Sequence, residues 1–152
     1  MGSLLEGHPR EGGDPFPIAA VLTIMGIAAC TTLGTDAMNE PLAPSGNADR
    51  GREVFLSRDG GHCVLCHSAP GVSVAGNIGP PLAGIGNRLT PGQIRLRIAD
   101  ITRVNPAATM PAFHRIDGER VASNYVGRPV LDAQQVEDLV AWLSTLKEAA
   151  PK

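Results

Sequence analysis

The sequence predicts an all-α domain of three to four short helices and long loops, wrapped around a group bulkier than its own side chains. Three observations carry this. Segments with helical apolar spacing and capping residues recur near 49–57, 90–101 and 132–147. Long stretches between them have no helical or strand period. Beyond residue 38 the only aromatic residues are Phe55, Phe113, Tyr125 and Trp142, few for a single-domain chain of 152 residues.

The first helix is expected from Asp49 to Ser57, with Gly51 and Phe55 on one face at i, i+4 and the glycines at 60 and 61 stopping it. The segment from Pro70 to Gly86 reads as a loop, and a loop of that length is uncommon without a function. Thr90-Pro91-Gly92-Gln93 forms a capping-box start, followed by Ile94, Ile98 and Ile101 at i, i+4, i+7. A second loop runs from Asn105 to about Val130 and holds TMPAF, with a short extended piece expected over 121–126. Asp132 caps the last helix with Gln135 at N3. Val136, Leu139, Val140, Leu143 and Leu146 form its apolar stripe to about Lys147, with Trp142 beside it. Net charge is −2, with no basic stripe to argue for nucleic acid and no acidic run to argue for disorder.

The chain divides into a leader over 1–38, a flexible linker over 39–46 and the folded domain over 47–152. The apolar run IAAVLTIMGIAAC, residues 18–30, falls short of the roughly 20 residues that span a bilayer and suits a secretory signal peptide. Its upstream flank departs from the usual pattern, with Arg10 against Glu6, Glu11 and Asp14. The run ends in Ile27-Ala28-Ala29-Cys30, which resembles a bacterial lipobox. Cys30 is therefore either a lipidated N-terminus or part of an ordinary signal peptide. Both readings export the protein to the periplasm, and only the first anchors it to a membrane.

Cys63-Val64-Leu65-Cys66-His67 is the strongest motif in the chain. Cys-x-x-Cys-His is the attachment pattern of c-type haem: two thiols add across the two vinyl groups, and the next histidine reaches the iron. Zinc would need two further ligands at short spacing, and none follows. A thioredoxin-like pair would want a preceding strand in a βαβ unit. A disulfide between residues three apart is strained. The motif therefore implies one covalent haem c on Cys63 and Cys66, with His67 as an axial ligand.

The second axial ligand is expected from Met110, the only methionine after residue 38, placed before Pro111, which biases its backbone to an extended form. His114 is the rival ligand, and His62 stands too close to the motif to swing across. With neither bound, the iron would be open to small ligands, as in a haem enzyme or gas sensor. The ring N–H of His67 needs an orienting carbonyl, and the 77–82 loop (NIGPPL) is the expected source. Arg88 is a candidate partner for a haem propionate.

Gly51 and Phe55 in a first helix, CxxCH, GPPL, a methionine loop and a last helix with Trp142 resemble the class I cytochrome c fold. In that family the first and last helices cross at the glycine with the two aromatics packed together. The resemblance makes the Pro80 carbonyl the acceptor of the histidine N–H and puts Gly79 and Leu82 beside the haem. GHCVLCH, NIGPPLAGIGNR, GQIRLRIAD, MPAFHR and LDAQQVEDLVAWLSTLK are similar to the SoxX family over roughly 47–148. SoxX is the small monohaem subunit of the SoxAX complex of sulfur oxidation. That resemblance implies a heterodimer with a SoxA-like cytochrome subunit that carries the catalytic cysteine and joins thiosulfate to a carrier cysteine (L-cysteine S-thiosulfotransferase chemistry). The small subunit would be non-catalytic and pass electrons to a soluble cytochrome c. A stand-alone periplasmic shuttle is the alternative. The partner is expected on residues 69–75 and 110–113, flanking the haem edge.

Overall fold

The computed structural model describes residues 37–74, 76–117 and 122–148. Residues 1–36 of the leader, with Cys30, lie outside the described residues, as do Ala75 and Val121. Among the described residues there are four α-helices: α1 (Ala48–Leu56), α2 (Ile85–Arg88), α3 (Pro91–Asp100) and α4 (Ala133–Thr145), with 3-10 turns at Cys63–Leu65, Ile101–Arg103 and Ser123–Tyr125. Among the described residues there is no strand.

Each long helix begins where its cap residue dictates. Asn47 accepts from the Arg50 N–H at α1. Thr90 and Asp132 close capping boxes with Gln93 and Gln135 at α3 and α4. The expected stop at the double glycine is not what ends α1. The chain turns extended at Ser57 (φ −67°, ψ 138°), and neither Gly60 nor Gly61 takes a positive φ. The extended piece over 121–126 is likewise absent: Ser123–Tyr125 is a 3-10 turn that closes on itself through the Val126 N–H. Helix α2 was not anticipated, because its four residues hold no apolar period.

Helices α1 and α4 cross in direct backbone contact. A Cβ added to Gly51 would stand 1.9 Å from the Asp138 carbonyl oxygen and 2.9 Å from Trp142 Cβ. Only glycine permits that approach. One turn on, the Phe55 and Trp142 rings meet at 4.8 Å between centroids, tilted by 50°. A tilted pair of this kind adds about 0.5–1.5 kcal/mol to its area burial. Around it pack Val136, Leu139, Val140 and Leu143 of α4 and Ile94 and Ile98 of α3.

Two carboxylates next to each other on α4 are also buried. Glu137 forms a two-point pair with Arg95 of α3, at 2.6 and 2.8 Å. Asp138 forms another with Arg50 of α1, at 2.7 and 2.8 Å. The segment 39–46 has no helix or core of its own, yet it is fastened to these groups. Arg95 donates to the Met38 carbonyl at 2.6 Å, the Leu42 N–H donates to Glu137 at 2.9 Å, and the Asn47 N–H donates to Asp138 at 2.7 Å. Burial pushes the Glu137 carboxyl up, but the Arg95 guanidinium and the Leu42 N–H outweigh it and hold the group below its ordinary range. Desolvation of Asp138 is likewise outweighed, by Arg50, the Asn47 N–H and Gln134.

Candidate functional site

The CxxCH segment folds as one tight turn. It opens at His62, a non-glycine residue in the left-handed region (φ 52°, ψ 32°). The N–H groups of Cys66 and His67 both return to the Cys63 carbonyl, at 3.1 and 2.9 Å. This sets Cys63, Cys66 and His67 on one face at i, i+3, i+4. Val64 enters the core while Leu65 stays half exposed. Both cysteines are free thiols rather than a disulfide. Burial pushes the Cys63 thiol up to about 11, the opposite of what a redox-active cysteine needs. Among the described residues no three histidine, cysteine, aspartate or glutamate side chains gather in a metal-binding group.

The loop from Gly76 to Leu82 is laid against this turn by backbone bonds. The Gly76 N–H donates to Val64 O at 3.0 Å, the Gly79 N–H to Cys66 O at 2.7 Å, and the Leu82 N–H to Ser68 O at 2.9 Å. The His67 ring bonds through Nδ1 to the Pro80 carbonyl at 2.8 Å. A carbonyl only accepts, so Nδ1 carries the proton and Nε2 keeps its lone pair for a metal. Gly79 lies flat against that ring: a Cβ there would come within 2.4 Å of His67 Cε1. Leu82 is buried. Gly79 and Pro80 thus stand against the His67 ring.

Met110 lies half-buried against the core, and the two residues after Pro111 are buried. Its loop returns to the attachment turn through Phe113. A Cβ on Gly61 would be 3.1 Å from Cys63 Sγ and 3.4 Å from the Phe113 ring. A crevice of about 180 Å³ runs between the 60–62 turn and this loop, walled by Pro111, Phe113, Tyr125 and Val130. His114 bonds through Nδ1 to the Leu131 carbonyl at 2.8 Å. Arg88 donates to the carbonyls of Pro81 (3.3 Å) and Ala83 and lies 3.7 Å from Glu148, so in this chain it braces the loop it follows. The expected partner surface needs one correction. Ala112 and Phe113 are core residues, each 6% exposed, because the chain turns inward after Pro111.

The donor set fits a c-type haem: two unpaired thiols, a histidine held in the correct tautomer and a thioether, bordered by Val64, Leu82 and Phe113. The pattern of the cytochrome c family matches residues 48–147. The chain belongs to that family. A cytochrome of this kind binds haem c covalently and transfers electrons. Its all-α class I fold is the one expected from the sequence. This cytochrome is similar to a chain in the crystal structure of SoxXA from P. pantotrophus, at 35% identity and a TM-score of 0.61, covering 74% of this chain and 89% of that one. No curated protein matches it.

The residues that sequence reasoning missed are those that act through backbone or burial. Gly76 is one: a Cβ there would meet the Leu65 carbonyl at 2.2 Å. The buried acids of α4 are others. Their only signal was two adjacent charges inside an apolar stripe.

Proposed function

We propose that this cytochrome is the small, single-haem subunit of a SoxAX-type thiosulfate-oxidising complex in the periplasm. It would take electrons from a SoxA-like catalytic subunit and pass them to a soluble cytochrome c. The observation that carries this reading is the 35% identity extending over 89% of a SoxXA chain, at a TM-score of 0.61. The sequence supports it with a single CxxCH. Once Cys63 and Cys66 are consumed, the domain keeps no thiol for sulfur transfer, so that chemistry falls to the partner.

When bound, haem c supplies a one-electron ferric–ferrous couple. The chain's own residues do the rest. Cys63 and Cys66 would hold the macrocycle to the turn through thioether links. His67 would offer Nε2 to the iron while the Pro80 carbonyl holds the ring, and Gly79 lets the loop lie close enough for that bond. Met110 would supply a thioether ligand, which would raise the reduction potential. Val64, Leu82 and Phe113 are buried apolar residues on the same segments and would border the group. Leu65, Val74 and Ile78, exposed by 50, 62 and 72%, give the attachment side an apolar rim for a partner to cover. Stable interfaces of this type usually bury more than about 1,000 Å².

Purification of the native protein tests the reading. A second cytochrome should co-purify, and thiosulfate with a carrier-protein acceptor should reduce the haem. Recovery as a lone chain whose haem responds to no sulfur substrate would favour the stand-alone shuttle. A wild-type ferric spectrum without the methionine-to-iron charge-transfer band would favour the open-iron reading.

A further inference from the structure

The motif MPAFHR holds a histidine whose role the electron-transfer reading leaves unassigned. Three pieces of chain meet at it. The N–H groups of Phe113 and His114 donate to the carbonyls of Ile98 and Ala99 at the end of α3, at 3.2 and 3.1 Å. These carbonyls belong to the last turn of a helix, where intrahelical donors run out. On the other side, the Leu131 N–H donates to the Phe113 carbonyl at 2.9 Å. The Leu131 carbonyl accepts from His114 Nδ1 at 2.8 Å. The imidazole therefore supplies the second bond of a two-point bridge that backbone alone makes only once. Leu131 is fully buried, so its carbonyl depends on that donor.

Between His114 and Met110 lie only Pro111, Ala112 and Phe113. Proline has a fixed φ, and the other two are buried. The lever from clamp to sulfur is short and stiff. Arg115 ties the next residue to the end of α3 through Thr102 at 3.3 Å and Asp100 at 3.6 Å, but it bonds nothing on the α4 side among the described contacts.

We propose that His114 is the positioning residue of the sulfur ligand: by donating Nδ1–H to the Leu131 carbonyl it locks the Met110 loop to the lead-in of α4. The inference rests on Met110 as ligand and assigns the former rival a supporting role. Asparagine places an N–H donor where Nδ1 sits, whereas leucine has similar bulk and no donor.

The test compares holo wild type, His114→Leu and His114→Asn. In His114→Leu the charge-transfer band should weaken, the reduction potential should fall, and imidazole should displace the sulfur about tenfold more readily, the factor one such hydrogen bond is worth. His114→Asn should restore all three readouts. Nitrogen-15 NMR of the wild-type imidazole needs no variant to fold and should find Nδ1 protonated. An Nε2-protonated ring, or a His114→Leu protein with wild-type band, potential and imidazole affinity, overturns the clamp. A wild-type spectrum lacking the band overturns methionine ligation itself, and the clamp with it. A wild type whose second axial ligand is His114 would do the same by a different signature, bis-histidine ligation.

Discussion

Where α4 meets α1 and α3, side chains do the holding: Phe55 against Trp142, two arginines on two buried carboxylates, and an apolar stripe closing over α3. Around the attachment turn, backbone does it. Gly76, Gly79 and Leu82 donate to carbonyls of the 64–68 segment, and Pro80 receives His67. The exposed large apolar residues divide the same way. Leu65, Val74, Ile78, Val104, Ile116 and Val126 all lie in loops or 3-10 turns, and none lies in α1, α3 or α4. The helix crossing can hold itself together, while the loop half is shaped to present groups outward or toward a cofactor. Stability and chemistry therefore rest on different kinds of contact, and substitutions should separate them.

The sharpest separation comes from Cys63→Ser with Cys66→Ser. Covalent haem should be lost completely, read as the absence of the porphyrin increment in the mass of the exported chain. Any porphyrin adduct in the double variant would break the assignment. Next come changes at the crossing. Trp142→Ala should cost about 3–5 kcal/mol, and Glu137→Ala, which strands the buried Arg95, a similar amount. Both should appear in denaturant unfolding of the holo-protein while the charge-transfer band of the folded fraction stays unchanged. A band lost in step with stability would mean that the two halves are coupled.

Acid sharpens the same contrast. Glu137 and Asp138 have folded values below their unfolded ones, near 4, so their contribution is complete above that range. It disappears as pH falls through the lower folded values. Glu137→Gln should flatten this acid limb of the stability curve. An unaltered limb would mean that other carboxylates set it. In the loop half, Gly79→Ala should displace the His67 ring and shift the reduction potential, with little change in helix content by circular dichroism. Arg88→Ala should be the mildest change, below about 1 kcal/mol, because both it and Glu148 are exposed. A larger loss would point to a role beyond bracing the loop.

Much of this was legible in the chain itself. Capping boxes at Thr90 and Asp132 fixed two helix starts, since a cap is satisfied by residues three positions away. The resemblance to class I cytochromes assigned Gly51 and Phe55 to the crossing, and CxxCH, a local pattern, marked the site. Spans with no local period were misread, such as 121–126, or missed, such as α2.

By itself, the sequence determined the three long helices, the attachment motif and the set of groups available to bind iron, all of which depend on neighbours within a few positions. Tertiary structure alone decided that Glu137 and Asp138 face inward, that Arg88 braces its own loop and that His114 bonds to Leu131, 17 residues away. A polar side chain's role follows from which buried group lacks a partner once the chain has folded, and no spacing along the sequence encodes that.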